Sequence, residues 1–246
     1  MNILITGGSS EIAQAIATRR IALGDKIFIT CSTLESLQAS LKNYQASNLS
    51  IQGFVYNFSH PEQSQSELSQ YSFDAVILNA FSRLTKLRKL HEVPFADIKD
   101  YINTNLQGNI WLLQQLLPSM LAKQFGRLVF ISSLSAITGT SHYSAYCAAK
   151  AALEALFFNL AVDYSSENIL ANIVRAGLFK TNRTKKFWAR EGYQEKLSKI
   201  IPQGHMGEVF QIAEAIDPLL SPTAYITGSI LTVSGGLPLF RAGGVL

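Results

Sequence analysis

The chain has 246 residues, 48% of them hydrophobic and 15% charged, with a formal net charge of +4. That is ample apolar material for a folded core and excludes a disordered chain; the charge is too small, and the basic residues too little interleaved with aromatics, for a nucleic-acid binder. Apolar runs such as residues 110–122 hold polar residues and are too short to span a membrane, and glycine and polar residues interrupt the apolar start by Gly7. Neither a membrane span nor a signal peptide is therefore expected, no His/Cys cluster has zinc spacing, and Cys31 and Cys147 read as free thiols of a cytoplasmic protein.

Short β-rich runs alternate with longer helical patterns along the chain. Residues 2–6 predict a buried strand, 11–23 a helix ending at Gly24, and 26–30 a second strand. A helical pattern over 33–44 precedes a third strand at 50–56 and a short helix opened by Pro61. Residues 73–79 predict a fourth strand, 95–122 one or two long helices, and 126–132 a fifth strand. An alanine-rich helix over 145–165, strands at 169–174 and 229–234, and a helix over 208–220 complete the pattern. Strands that are apolar almost throughout, with helices between them, predict a sheet covered on both faces. The expected fold class is α/β: one domain over 1–246, a Rossmann-like, doubly wound, seven-stranded parallel sheet with its ligand at the carboxyl ends of the strands. Residues 177–207, long, basic and irregular, are the candidate substrate lid.

Four features carry chemistry. Thr6-Gly7-Gly8-Ser9-Ser10 lies between strand one and helix one, where glycines permit a tight turn and a helix N-terminus favours phosphate; taken alone, such a turn is more often only a turn. Tyr146 and Lys150, four apart on a helix, share one face. A lysine charge ~4 Å from the phenol, at an effective dielectric of ~20, is worth ~4 kcal/mol, enough to pull tyrosine towards neutral pH; the plain alternative is two surface residues. Ser133 stands at the end of strand five, and Asn105 lies inside a helical stretch, where an asparagine usually satisfies a local backbone group.

The order and spacing of the glycine turn, Leu78-Asn79-Ala80, Asn105, Ser133, Tyr146 and Lys150 resemble the short-chain dehydrogenase/reductase family over essentially the whole chain, with overall style most similar to its 3-oxoacyl-carrier-protein reductases. The resemblance implies that Tyr146 is the general acid, that Ser133 holds the substrate carbonyl, that Lys150 lowers the tyrosine pKa and contacts the nicotinamide ribose, and that Asn105 holds a water linking Lys150 to solvent. It implies dinucleotide contacts from Gly7, Ser9, Ser10, Ile12, Ser32, Thr33, Asn57, Asn79, Ala80, Tyr146, Lys150, Gly177 and Thr181. It also implies a homodimer or homotetramer built partly on the 145–165 helix.

The sequence departs from the family pattern at named places. Glu11 and Ala13 replace the second and third glycines of the turn, and Glu11 either points away from the phosphate site or competes with it. Phe81 stands where the family often has glycine, Ala176 where it has proline, and Ser234 where it has aspartate. No acid ends the second strand, so NADP(H) is expected over NAD(H). Arg175, Lys180, Arg183, Lys185, Lys186 and Arg190 form one basic run, and Arg83, Lys86, Arg88, Lys89 and His91 another. Either they are solvated faces, or they draw an anionic cofactor, substrate or acidic carrier protein. The leading expectation is a ketoreductase acting on a carrier-bound 3-oxoacyl thioester. The alternatives are a dehydrogenase of a small alcohol or sugar hydroxyl, and a non-catalytic dinucleotide sensor.

Overall fold

The computed structural model describes residues 1–239. Seven strands, β1 Asn2–Thr6, β2 Lys26–Cys31, β3 Gln52–Val55, β4 Ala75–Leu78, β5 Gly126–Ser133, β6 Ile169–Ala176 and β7 Ile230–Val233, pair in parallel in the order β3-β2-β1-β4-β5-β6-β7. Between and around them run α1 Glu11–Ala22, α2 Leu34–Ala46, α3 Gln65–Leu68, α4 Phe95–Ile102, α5 Gly108–Lys123, α6 Ser135–Thr138, α7 Ser144–Tyr164, α8 Lys185–Trp188, α9 Tyr193–Ile200 and α10 Val209–Leu220. This is the Rossmann-like sheet the alternation predicts.

Side chains alternate across a pleated strand, so a strand buried on both faces must be apolar at every position. Leu4, Val76, Leu78, Leu128 and Phe130 turn to one face and pack with Leu112 and Leu116 of α5 and Leu153 and Phe157 of α7. Ile3, Ile5, Ile77, Val129 and Ile131 turn to the other and pack with Ile16 and Ala17 of α1 and Ile212 and Ile216 of α10. Burial of each such side chain stabilises the fold by roughly 1.5–3 kcal/mol. At the amino end of β5 the guanidinium of Arg127, fully buried, donates to the carbonyl oxygens of Gly126, Asn168, Ser221 and Pro222 and ties β5 to the end of α10. By length and composition α7 and its extension, Ser144–Glu167, would suffice to cross a membrane. That is longer than the apolar runs noted in the sequence, and the helix instead buries Ala149, Leu153, Phe157 and Leu160 in the core.

Three differences from the sequence reading matter for the site. The helical stretch over 95–122 is α4, a π-helical turn at Asn103–Gln107, and α5. The extra residue in that turn carries Asn105 inside, and Gly108 follows because a Cβ there would lie 2.4 Å from the Phe58 carbonyl oxygen. Segment 61–70 is a 3-10 turn leading into α3 rather than one helix. Segment 177–207 contains α8 and α9 and a small apolar cluster of its own, Leu197, Ile201 and Met206.

Candidate active site

The chain order reverses between β1 and β4, and the loops leaving these two strands splay apart to open a crevice. A cleft of about 580 Å³ lies there, across the carboxyl ends of the strands. Every predicted site residue lines it except Thr33 and Asn57. Thr33 instead caps α2, its hydroxyl accepting the Ser36 N–H at 3.2 Å. Asn57 folds back in the same way, accepting the Ser59 N–H at 3.0 Å. Both spend their polar atoms on local turns, which short Thr and Asn side chains readily do.

On one side of the cleft the glycine turn is woven into the sheet. Gly7 adopts φ +71°, and a Cβ there would stand 3.0 Å from Ala80 Cα. The Thr6 hydroxyl accepts the N–H groups of Asn79 (3.0 Å) and Ala80 (2.9 Å). The Asn79 amide donates to Thr6 O (2.9 Å), Gly7 O (3.3 Å) and Ser10 Oγ (2.9 Å). Ser10 Oγ also accepts the Ala13 N–H and caps α1. The first-turn N–H groups of α1 thus face the cleft at its positive end. This cradle fits a dinucleotide phosphate, and Glu11 leaves it clear: its Oε1 accepts the N–H of Asn182 at 2.7 Å, across the cleft.

At the other end stand Ser133, Tyr146 and Lys150. β5 delivers Ser133, and α7 delivers Tyr146 and Lys150 one turn apart. Burial raises the Tyr146 pKa; the Ser133 hydroxyl and the Arg183 guanidinium pull it down, while Cys147 and Tyr143 push it up. Lys150 is wholly enclosed. Its Nζ donates to Ile131 O at 2.7 Å, lies 3.9 Å from the Phe81 ring centroid, and stands 5.9 Å from that of Tyr146. Burial, and then repulsion from Arg183, lowers its pKa to about 7, with Glu154 opposing. The i, i+4 spacing suggested a direct Lys150 charge on the phenol; in the fold that ammonium faces a carbonyl and a phenyl ring, and the cation acting on Tyr146 is Arg183.

Asn105 is buried with both side-chain functions engaged: its amide donates to Tyr101 O (2.8 Å) and its Oδ1 accepts the Ser82 N–H (2.7 Å). Its own carbonyl accepts from Asn109 (2.7 Å). It therefore fastens the loop after β4 to the helix.

Segment 177–207 contributes Gly177, Thr181, Asn182 and Arg183 to the cleft wall. Its base is pinned where Lys180 N–H donates to Gly207 O and Gly207 N–H to Leu178 O, each at 2.9 Å. Its tip is the turn Asn182–Thr184, which reaches both walls of the β1–β4 side: Asn182 N–H meets Glu11, and Arg183 Nη2 donates to Phe81 O at 2.8 Å. The basic run over 175–190 divides. Arg175 is buried in a two-bond pair with Glu154 (2.5 and 3.1 Å), which also accepts the Ser132 hydroxyl at 2.6 Å. Lys180 pairs with Glu208 at 2.5 Å. Only Arg183, Lys185, Lys186 and Arg190 stay exposed.

A short chain dehydrogenase profile matches residues 1–192. The chain belongs to the short-chain dehydrogenase family. Within that family of oxidoreductases it is 34% identical over 236 residues, 95% of each chain, to a protein of Rickettsia prowazekii (strain Madrid E) named 3-oxoacyl-(acyl-carrier-protein) reductase. It is 30% identical over 247 residues to a tropinone reductase homolog of Arabidopsis thaliana, covering 97% of this chain and 91% of that one. A solved 3-oxoacyl (acyl-carrier-protein) reductase from Agrobacterium tumefaciens C58 with NADP bound superposes with a TM-score of 0.86 at 26% identity, covering 96% and 93% of the two chains. Among the cleft residues absent from the predicted site are Ser36, Arg83, Asn182 and Arg183. The two arginines were visible only as members of basic runs, and Asn182 carried no signal.

Proposed function

We propose that the chain is an NADP(H)-dependent ketoreductase that reduces a 3-oxoacyl thioester presented by a carrier protein. The observation that carries this reading is the meeting, in one cleft, of the Ser133 and Tyr146 hydroxyls, the buried Lys150 and the glycine cradle. The Gly7–Ser10 turn and the start of α1 would hold the dinucleotide, which when bound would supply hydride for the carbonyl carbon. Ser133 holds the carbonyl oxygen and meets its developing charge. Tyr146 gives that oxygen its proton. Lys150, poised at about pH 7, gains and loses a proton within the working range and resupplies Tyr146 from below.

NADP(H) is favoured because Ser32 and Ser36, and no acid, line the cleft beyond β2. Fluorescence titration tests it: NADPH binding more tightly than NADH is expected, and the reverse order overturns the cofactor assignment. The carrier reading draws on the relatives' names and on exposed Lys185, Lys186 and Arg190 beside the cleft. A higher kcat/KM for carrier-bound acetoacetyl than for a short acetoacetyl thioester supports it, and equal values remove it. The same reading gives a dimer or tetramer formed partly through α7, where Phe158 and Val162 are exposed; light scattering reads the mass, and a monomer overturns it.

A further inference from the structure

Arg83 and Arg183 face the cleft from opposite lips, one from the loop after β4 and one from the tip of segment 177–207. A guanidinium carries five N–H donors. Arg183 uses Nη2 on Phe81 O, and among the described residues neither arginine has a carboxylate partner. Glu11, the one acid lining the cleft among the described residues, accepts the Asn182 N–H through Oε1 and forms no ion pair with either arginine. Arg83 therefore acts on Arg183 as a like charge that Glu11 offsets from a distance without an ion pair, which leaves guanidinium N–H donors open to an anion or an electron-rich oxygen.

Their place in the cleft narrows what that group is. The Arg183 guanidinium acts electrostatically on Tyr146 and Tyr101, and is fixed to the backbone of Phe81, whose ring meets the Tyr146 ring edge-on at 5.5 Å. It thus stands at the proton-transfer end, away from the Ser32 and Ser36 end. Lys150 does not compete for a ligand here, because its ammonium is buried against Ile131 O and the Phe81 ring. A planar fork beside the phenol matches the oxygens of a carboxyl-derived group.

We propose that Arg183, backed by Arg83, anchors the substrate through a carboxyl-derived group, a carboxylate or thioester carbonyl, attached close to the carbonyl that is reduced. This rests on the ketoreductase reading for which carbonyl reacts, and adds what holds it. Plain ketones lack the second oxygen and are poor substrates.

The test separates the anchor from the reaction. Calorimetry on the NADPH complex compares 3-hydroxybutyrate with butan-2-ol, in wild type and in Arg183→Gln, Arg183→Lys and Arg83→Gln. The wild type is expected to prefer the carboxylate. Arg183→Gln should cut that preference at least about tenfold, the loss of a charge-assisted hydrogen bond; Arg183→Lys should restore part of it and Arg83→Gln should show a smaller loss. NADPH affinity and the melting temperature, measured on the same samples, should hold. No preference in the wild type, or one that survives Arg183→Gln, overturns the anchor. A fall in NADPH affinity instead assigns the pair to a cofactor phosphate and also overturns it. Steady-state rates with acetoacetyl thioester, acetoacetate and butan-2-one then tell the two oxygen sources apart. If none of the three is reduced while carboxylate binding still depends on Arg183, the ketoreductase reading falls and the anchor stands.

Discussion

On the β1–β4 lip of the cleft, Asn79 divides its amide among Thr6, Gly7 and Ser10, and Thr6 returns two bonds to Asn79 and Ala80. Across the cleft, the Asn182–Thr184 turn reaches the same walls through two contacts, Asn182 to Glu11 and Arg183 to Phe81 O. The first lip consists of strand ends and buried backbone, so it is shaped before any ligand arrives. The second is held by exchangeable bonds near solvent, the kind of segment that opens at low cost. The glycine cradle therefore belongs to the sheet, while the Asn182–Thr184 turn, which carries the proposed substrate anchor, is tied to it by fewer bonds.

Tyr146→Phe removes the proposed proton donor while leaving both lips intact: turnover should fall by about 10²–10⁴-fold with NADPH affinity nearly unchanged. Retained turnover in a stopped-flow assay would remove Tyr146 from the chemistry.

Gly7→Ala attacks the rigid lip, placing a Cβ against Ala80 in a left-handed conformation. A cost of roughly 1–3 kcal/mol is expected, seen as a melt lowered by several degrees together with weakened NADPH binding. An unchanged melt would show that this lip is not pre-shaped.

Lys150 lies beneath both lips. Its folded pKa of about 7 is below the ordinary 10.5, so between those values the unfolded chain binds the proton more strongly and stability rises with pH. Below about pH 7 both states are protonated and the burial cost is present in full. Lys150→Met should therefore raise the melting temperature at pH 6–7, flatten its rise towards pH 9.5, and abolish turnover. A wild-type melt that falls over this alkaline window would contradict the assignment.

The smallest effect probes the contact between the Asn182–Thr184 turn and the glycine cradle. Glu11→Gln keeps an acceptor for Asn182 but removes the negative charge near the cradle. NADPH affinity should rise about two- to fivefold, in line with a charge beside a helix terminus. Weaker binding would mean that the carboxylate contributes to holding the cofactor.

Much of the fold was legible because its rules are local. Apolar strands such as Asn2–Thr6 announce a sheet buried on both faces, and the four-residue step from Tyr146 to Lys150 announces one helix face. Ser133 was legible from its place at a strand end. Asn79 was legible as a position but not as a fastener, since its acceptors Thr6, Gly7 and Ser10 lie about seventy residues away in sequence. Arg175 and Lys180 read as free cations until the fold supplied Glu154 and Glu208. Arg183 read the same way, and the fold turned it into the cleft.

The sequence by itself determined the parallel sheet, the glycine turn after β1 and the shared helix face of Tyr146 and Lys150, because periodicity and i, i+4 spacing act over a few residues; the company of Ser133 with that pair came from the family resemblance. Tertiary structure alone decided where charge goes. It sent Glu11 to Asn182, buried Lys150 against Ile131 O and Phe81, and brought Arg183 to Tyr146. An ionised group's behaviour depends on which distant groups displace its water, and no local pattern records that.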